Sequence, residues 1–487
     1  MSEAHSFLSP PVDTMRQLVT EGSTRPLQWR LEQLARLEGV LEVAESGLLE
    51  SLAQDLGRPP LEAYFELVGV REELQFTRRH LKRWMAGKRI GLPPSRWPAR
   101  GRLQPEPLGC VLILGPWNYP FQLCLQPLVS ALAAGNTVVL KPSELAPHTA
   151  THIANLLREA FPPQIVQVVQ GDGQVGAQLL EHRFDHILFT GGERVGRLVM
   201  AAAARHLTPV TLELGGKSPA IVLADAPIAT TARRLVWGKG LNAGQTCVAP
   251  DHLLVVPEMV APLKAAIAEE ITRLYGPDPL ASPDLARLVS LQHFDRLSGL
   301  LSEAEQRGQV LLGGRRNRDQ QRIEPTLLQV DDPDTDPLMR EELFGPLLPM
   351  ITVPNLEAAI ARVQGGPKPL ALYLFGKRAQ DRKRVHSRTS SGSLAFNDVI
   401  VQVAVPQLPL GGVGESGMGA YHGHTGFLTF SHQRSILEQR FWPDIALRYP
   451  PYAGKWPFVK RLPGKSQATP GGGDWMRAKR VLTLRRA

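Results

Sequence analysis

Between residues 13 and 85 apolar side chains recur at helical spacing among charged ones, as at Leu31, Leu34, Leu37, Leu41 and Val43, with few breakers. That pattern predicts a helical entry region. The character changes from Lys88 to Arg102, where Pro, Arg and Gly accumulate and an extended crossing segment is expected. Beyond it, short apolar runs alternate with turn residues and helical patterns. Cys110 to Leu114, Thr137 to Leu140, Ile165 to Val169, His186 to Phe189 and Val210 to Glu213 read as parallel strands joined by crossover helices. They make a doubly wound half of roughly 200 residues, in which a nucleotide would bind at the carboxyl ends of the strands. A second α/β half runs from Gly215 to about Phe396, with Ala220 to Leu223, Leu253 to Val256 and Leu370 to Phe375 as its strands. No internal repeat is visible.

At 487 residues the chain exceeds what one hydrophobic core usually supports, so two or three domains are expected. The net charge of +9 suggests a nucleic-acid partner until it is located. From Lys455 onward nine lysines and arginines face a single acid, Asp474, which leaves a nearly neutral body. Nucleic acid is therefore not an expected partner. Residues 455–487 read as a basic, partly disordered tail in which Trp456, Phe458, Trp475 and Leu482 are interleaved. Such a mixture suits peripheral contact with an anionic membrane surface, or simply a solvated terminus. No apolar run reaches the roughly 18 residues of a membrane span, and no secretory leader is visible. Three cysteines, Cys110, Cys124 and Cys247, show no spacing for a disulfide framework or a metal site, so a cytoplasmic, reducing compartment is expected.

Chemistry enters with three short stretches. Gly244, Gln245, Thr246, Cys247, Val248 set a thiol among small and amide residues. Gly115, Pro116, Trp117, Asn118, Tyr119, Pro120 offer an amide, and Glu213, Leu214, Gly215, Gly216, Lys217 a carboxylate. Together they supply an attacking sulfur, a donor for an oxyanion and a base for water. Each has an ordinary alternative: a lone cysteine is commonly a small buried hydrophobe, Asn118 between two prolines a turn residue, and Glu213 the cap of a glycine turn.

In order and spacing these stretches resemble the aldehyde dehydrogenase superfamily, most closely its class 3 branch, from about Arg71 to Tyr452. Trp237, Gly238, Lys239 followed by Asn242 to Cys247 carry the likeness, as does the run from Gly411 to Gly423. The resemblance implies NAD(P)-dependent oxidation of medium- or long-chain aliphatic or aromatic aldehydes to acids, through a thiohemiacetal and a thioester on Cys247. Asn118 would hold the oxyanion and Glu213 would activate water. A helix start before the cysteine, bound cofactor charge and water-linked Glu213 are three open sources of thiol activation.

No GxGxxG run follows the first strand, so the usual dinucleotide loop is missing. The resemblance implies another cradle, with Thr190, Gly191, Gly192 and Val195 at the pyrophosphate and Lys141 and Glu144 at the adenosine ribose. Glu342 would meet the nicotinamide ribose, and Phe344 would place the nicotinamide. A carboxylate at the ribose favours NAD over NADP, although both remain expected cofactors. Tyr119, Trp237 and Leu241 are expected to line an apolar substrate pocket. Leu410 stands where the family usually has Phe, and Gln402 where it often has His.

The expected domains are a cofactor domain over 1–214, with 86–103 in a bridging element, and a catalytic domain over 215–396. Residues 397–454 would form a small β bridging region used for homodimerisation. The rival readings are a CoA-acylating aldehyde dehydrogenase or acyl reductase, against which Glu213 argues, and a non-catalytic relative with a membrane-surface tail.

Overall fold

A computed structural model describes residues 11–93, 96–444, 446–455 and 457. The tail expected to meet membranes, residues 455–487, lies outside the described residues apart from Lys455 and Pro457. No helix among the described residues is long and apolar enough to cross a membrane. The chain forms two compact units, Met1–Arg89 with Arg102–Ile436, and Ile90–Gly101 with Leu437–Ala487. All the chemistry below belongs to the first.

Four helices open the described chain: α1 (Val12–Thr20), α2 (Leu27–Val43), α3 (Glu45–Leu56) and α4 (Pro60–Met85). On α2 the residues Leu34, Leu37, Val40 and Leu41 are buried, whereas Val43 is 68% exposed. Val43 therefore leaves the apolar stripe on which its spacing had placed it. At 100° per residue it sits about 200° from Leu41, and Val40, next to Leu37 on the same face, takes the place. Helix α3 stops at Gly57, whose φ of 57° closes the turn. Helix α4 starts afresh on Pro60, where the missing N–H is no loss.

Strands β1 (Lys88–Ile90) and β2 (Arg100–Pro107) occupy the stretch predicted to be extended. Then β3 (Cys110–Leu114), β4 (Thr137–Lys141), β5 (Val166–Val168), β6 (His186–Thr190) and β7 (Val210–Glu213) pair in parallel in the spatial order β7-β6-β3-β4-β5. Every residue of β3, β4 and β6 is buried. A parallel sheet covered on both faces produces such unbroken apolar runs, which is why they were readable in the sequence. Helices α5 (Gln122–Ala134), α6 (Pro147–Ala160), α7 (Gly173–Leu179) and α8 (Glu193–Ala204) make the crossovers. The chain moves from β3 outward to β5, then returns to lay β6 on the other side of β3. That reversal opens a crevice beyond the carboxyl ends of β3 and β6, where ligands bind in sheets of this kind.

The second sheet contains β8 (Pro219–Val222), then, after helix α9 (Ile228–Gly240), β9 (His252–Val255) and β10 (Val310–Leu312). A hairpin of β11 (Arg316–Asn317) and β12 (Arg322–Ile323) intervenes before β13 (Thr326–Gln329), β14 (Leu347–Thr352), β15 (Ala371–Phe375) and β16 (Ser393–Phe396). The order is β10-β13-β14-β9-β8-β15-β16, parallel except for β10 against β13. Strand β17 (Gly417–Met418) returns to the first sheet, antiparallel to β7, with Gly417 opposite Glu213. A Cβ at Gly417 would lie 2.1 Å from the Leu212 carbonyl oxygen, so only glycine allows this pairing. Strand β18 (Ser431–Glu438) lies beside β2 in a three-stranded sheet.

Candidate active site

Cys247 stands on a turn that local preference alone would not form. After α9 ends, Asn242 and Ala243 both take left-handed backbone angles, with φ of 51° and 52°, and Gly244 follows at 76°. A non-glycine residue held there costs on the order of 1–3 kcal/mol, and it persists only where the surroundings over-determine it. Here they do. The Asn242 N–H donates to Glu62 Oε2 at 2.9 Å, and its side-chain amide donates to the Asn118 carbonyl at 2.9 Å. Gln245 is fully buried, donates to the carbonyls of Asn242 and Arg287 at 3.0 Å each, and accepts from the Val289 N–H at 2.9 Å. A Cβ at Gly244 would come within 2.2 Å of the Gly345 carbonyl oxygen. The result is a rigid shelf presenting the half-buried thiol.

Asn118 follows β3 and is buried. One N–H of its amide donates to the Gln245 carbonyl at 3.1 Å, which fixes the amide plane against the nucleophile turn. An amide nitrogen carries two donors, so one is left for a ligand oxygen. Glu213 ends β7, and neither of its carboxylate oxygens, though buried, has a hydrogen-bond partner within the protein. Burial pushes its pKa well above the ordinary carboxylate range. A buried acid with both oxygens unsatisfied is poised to hold water or a polar ligand.

Burial first, and the Glu342 and Glu213 carboxyls after it, push the Cys247 thiol up to about 12. Burial therefore favours the neutral thiol at pH 7. One of the three activation sources is removed by the fold: the helix before the cysteine ends at Gly240, and no helix starts between Gly240 and Cys247 beyond one tight turn. The partial charge offered by the end of α9 is negative and opposes a thiolate. The backbone N–H groups of Cys247 and Val248 act in the opposite sense and lower the pKa. Alkylation of Cys247 by iodoacetamide should accordingly accelerate about tenfold per pH unit from pH 7 to pH 9. A plateau below pH 8, followed by mass spectrometry, would show a thiolate already formed and contradict this ordering.

Cys247, Asn118 and Glu213 open onto one cavity of about 540 Å³, which Lys141, Glu144, Thr190, Gly191, Gly192, Val195, Glu342 and Phe344 also line. The crevice predicted from strand order is this cavity. Helix α8 starts on Gly192 with no side chain capping its first N–H groups, and nothing lies within 4 Å of where a Gly192 Cβ would be. An uncapped start with open space before it suits a pyrophosphate. The buried Thr190 hydroxyl has no partner within the protein. Lys141 Nζ lies 3.1 Å from Glu144 Oε2. Burial, then Asp251, raises Glu342 to about 8, against the hydrogen bond it receives from the Gly216 backbone. A Cβ at Gly215 would lie 2.0 Å from Glu342 Oε2, so glycine there makes room for the acid. Phe344 meets the edge of Trp117 with ring centroids 5.2 Å apart. Two acids able to accept hydrogen bonds from sugar hydroxyls, an open helix start and a flat ring along one groove fit a nicotinamide dinucleotide.

The three pocket residues expected from their neighbourhood do not line this cavity. Tyr119 turns behind it, its hydroxyl 2.7 Å from Thr246 Oγ1, Leu241 is buried, and Trp237 packs against the core of the second sheet. The walls instead include Trp117, His293, Arg296, Leu410 and Tyr421. Tyr421 is fully buried with an unpartnered hydroxyl. Its place in the run from Gly411 to Gly423 was the only signal for it in the sequence. Leu410 borders the cavity, whereas Gln402 donates to Tyr373 Oη and Ser393 Oγ outside it.

Residues 12–436 match the profile described as "Aldehyde dehydrogenase family". Among curated relatives, "Aldehyde dehydrogenase family 3 member H1" of Arabidopsis thaliana is 42% identical, covering 93% of this chain and 94% of that protein. "Aldehyde dehydrogenase, dimeric NADP-preferring" of Rattus norvegicus is 42% identical over 93% of this chain and 99% of its own length. A solved structure of Staphylococcus aureus AldH in a substrate-bound state superposes with a TM-score of 0.89 at 39% identity, covering 94% of this chain and 99% of that one.

Proposed function

Since the chain belongs to the aldehyde dehydrogenase family, we propose that it oxidises medium- and long-chain aliphatic or aromatic aldehydes to carboxylic acids with Cys247 as nucleophile. NAD or NADP, when bound, supplies the acceptor for the aldehyde hydrogen. The chain's own residues do the rest. The Cys247 thiol releases its proton to solvent water as its sulfur forms a bond to the carbonyl carbon, and the oxygen that gathers charge takes hydrogen bonds from the free Asn118 N–H and the Cys247 backbone. Each such donor is worth on the order of a hundredfold in rate. Once the substrate carbon is at the acid level it is held as a thioester on Cys247. Glu213 then takes a proton from the water that attacks that carbon, and the sulfur leaves as the carbon–sulfur bond breaks. The observation that carries this reading is that thiol, amide and partnerless acid meet in the cavity that fits the dinucleotide.

Glu213, a partnerless acid placed to act as a base for water, supports water rather than a thiol as the acyl acceptor. Leu410, Trp117 and Phe344 give the cavity apolar walls suited to an alkyl chain or an aromatic ring. Glu144 beside Lys141 supports use of NAD, with NADP tolerated because the ammonium offsets the acid's charge. The rat relative's description as dimeric supports a homodimer. A panel of hexanal, a long-chain aldehyde and benzaldehyde, assayed with both cofactors by absorbance of the reduced form, tests the proposal. Acid should be the product with and without added CoA. Accumulation of acyl-CoA, or no reduction with any of the three, would overturn it.

A further inference from the structure

Two arms of the site, the Asn118 segment and the Cys247 turn, converge from positions far apart in the chain, and both are gripped by the same short stretch. Arg58, in the link between α3 and α4, forms an ion pair with Glu66, and both side chains have no solvent exposure. The same guanidinium donates to the Asn118 carbonyl and lies 4.6 Å over the Tyr119 ring. The second oxygen of Glu66 accepts the N–H groups of Phe121 and Gln122 at 2.9 Å each, which secures the start of α5 immediately after the Asn118 turn. One helical turn before it, on the same face of α4, Glu62 accepts the Asn242 N–H at 2.9 Å. The two arms are then tied to each other through the Asn242 amide on the Asn118 carbonyl and the Asn118 amide on the Gln245 carbonyl.

From this geometry we propose that Arg58, Glu62 and Glu66 are positioning residues that set the separation of the Cys247 sulfur from the Asn118 amide. The proposal rests on the reading of Cys247 as nucleophile and Asn118 as oxyanion donor. The energetics point the same way. A fully buried ion pair is weak as a source of stability, because removing two charges from water offsets most of their attraction. Its value lies in geometry: a forked guanidinium and a two-oxygen carboxylate hold four groups at once in fixed directions. Glu62 in turn supplies the partner for the N–H of a left-handed residue, without which that turn has less to hold it. Misplacing reacting groups by about 1 Å is enough to slow chemistry on the order of a hundredfold.

The test is the pre-steady-state burst of reduced cofactor with hexanal, measured by stopped flow on the full chain. Three variants are compared with the unsubstituted protein: Glu62→Leu, Glu62→Gln, and the double change Arg58→Met with Glu66→Leu, which leaves no buried charge unpaired. Glu62→Leu and the double variant should slow the burst by about 10- to 100-fold. Affinity for the reduced cofactor and the KM for hexanal should stay within about twofold. Glu62→Gln should restore the burst to within about threefold, because its amide oxygen still accepts from Asn242. Should the double variant fail to fold, the Leu and Gln pair at position 62 decides alone. Bursts within twofold of the unsubstituted rate, or a Gln variant as slow as the Leu one, would overturn the proposal. So would a slowing matched by equal loss of cofactor affinity. A Cys247→Ala protein run in parallel separates the two levels: a burst surviving there sinks the nucleophile reading itself.

Discussion

Cys247→Ala should lose cofactor reduction by at least about 10⁴-fold with every aldehyde that the unsubstituted protein oxidises. The covalent route needs a sulfur at that one place, and no other described side chain on the cavity wall is a comparable nucleophile. Cys110 and Cys124 are fully buried, with thiols raised by burial, to about 12 for Cys110, and neither lines the cavity. Alanine removes only one half-buried heavy atom, so unfolding temperature should change little. The shelf made by Asn242, Ala243 and Gln245 is held by backbone and amide contacts that do not involve the sulfur. Activity above about one percent of normal in a folded Cys247→Ala protein, assayed with saturating cofactor, would rule out the thioester route.

Glu213→Gln should separate the two halves of the reaction. The Glu213 carboxyl raises the Cys247 thiol rather than activating it, which leaves bound cofactor charge as the activator, so attack and loss of the aldehyde hydrogen should proceed without Glu213 and a burst of about one reduced cofactor per site should remain. Hydrolysis of the thioester does need one, and turnover should fall by about 10²- to 10⁴-fold. The same substitution has a signature in stability. The folded-state pKa of Glu213 is raised above the ordinary 4.5, so the folded chain holds this proton more tightly than the unfolded chain. Its contribution is fully present below the unfolded pKa and is lost as pH rises through the folded value. Glutamine, which never ionises, escapes that loss. The unfolding temperature of Glu213→Gln relative to the parent should therefore increase with pH above about 4.5. A difference that is flat from pH 5 to pH 9 would mean that Glu213 ionises freely, through water or a partner that compensates its burial.

Reading the short motif stretches in their chain order placed Cys247, Asn118 and Glu213 on the walls of one cavity. The residues expected to contact the cofactor line the same groove. By contrast, Tyr119, Trp237 and Leu241 were singled out because they neighbour the motifs in the chain, and they miss the cavity. Adjacency in sequence does not set side-chain direction. Leu241 is buried where α9 gives way to the left-handed turn, and Tyr119 swings beneath the Arg58 guanidinium. Val43 errs for a related reason, since a helical stripe advances by three or four residues and two is the wrong step.

Periodicity and the order of glycine-rich turns are properties of the chain itself. From them came a doubly wound parallel half with a crevice beyond the carboxyl ends of its strands, a second α/β half, and a thiol, an amide and a carboxylate as the candidate site. The sequence could not disclose that Glu62 meets Asn242 across 180 residues, or that Arg58 and Glu66 close around the Asn118 segment. Nor could it show that burial raises the Cys247 thiol or that both Glu213 oxygens lack a partner within the protein. Those are matters of desolvation and of partners reached through space, and both exist only once distant segments have packed together.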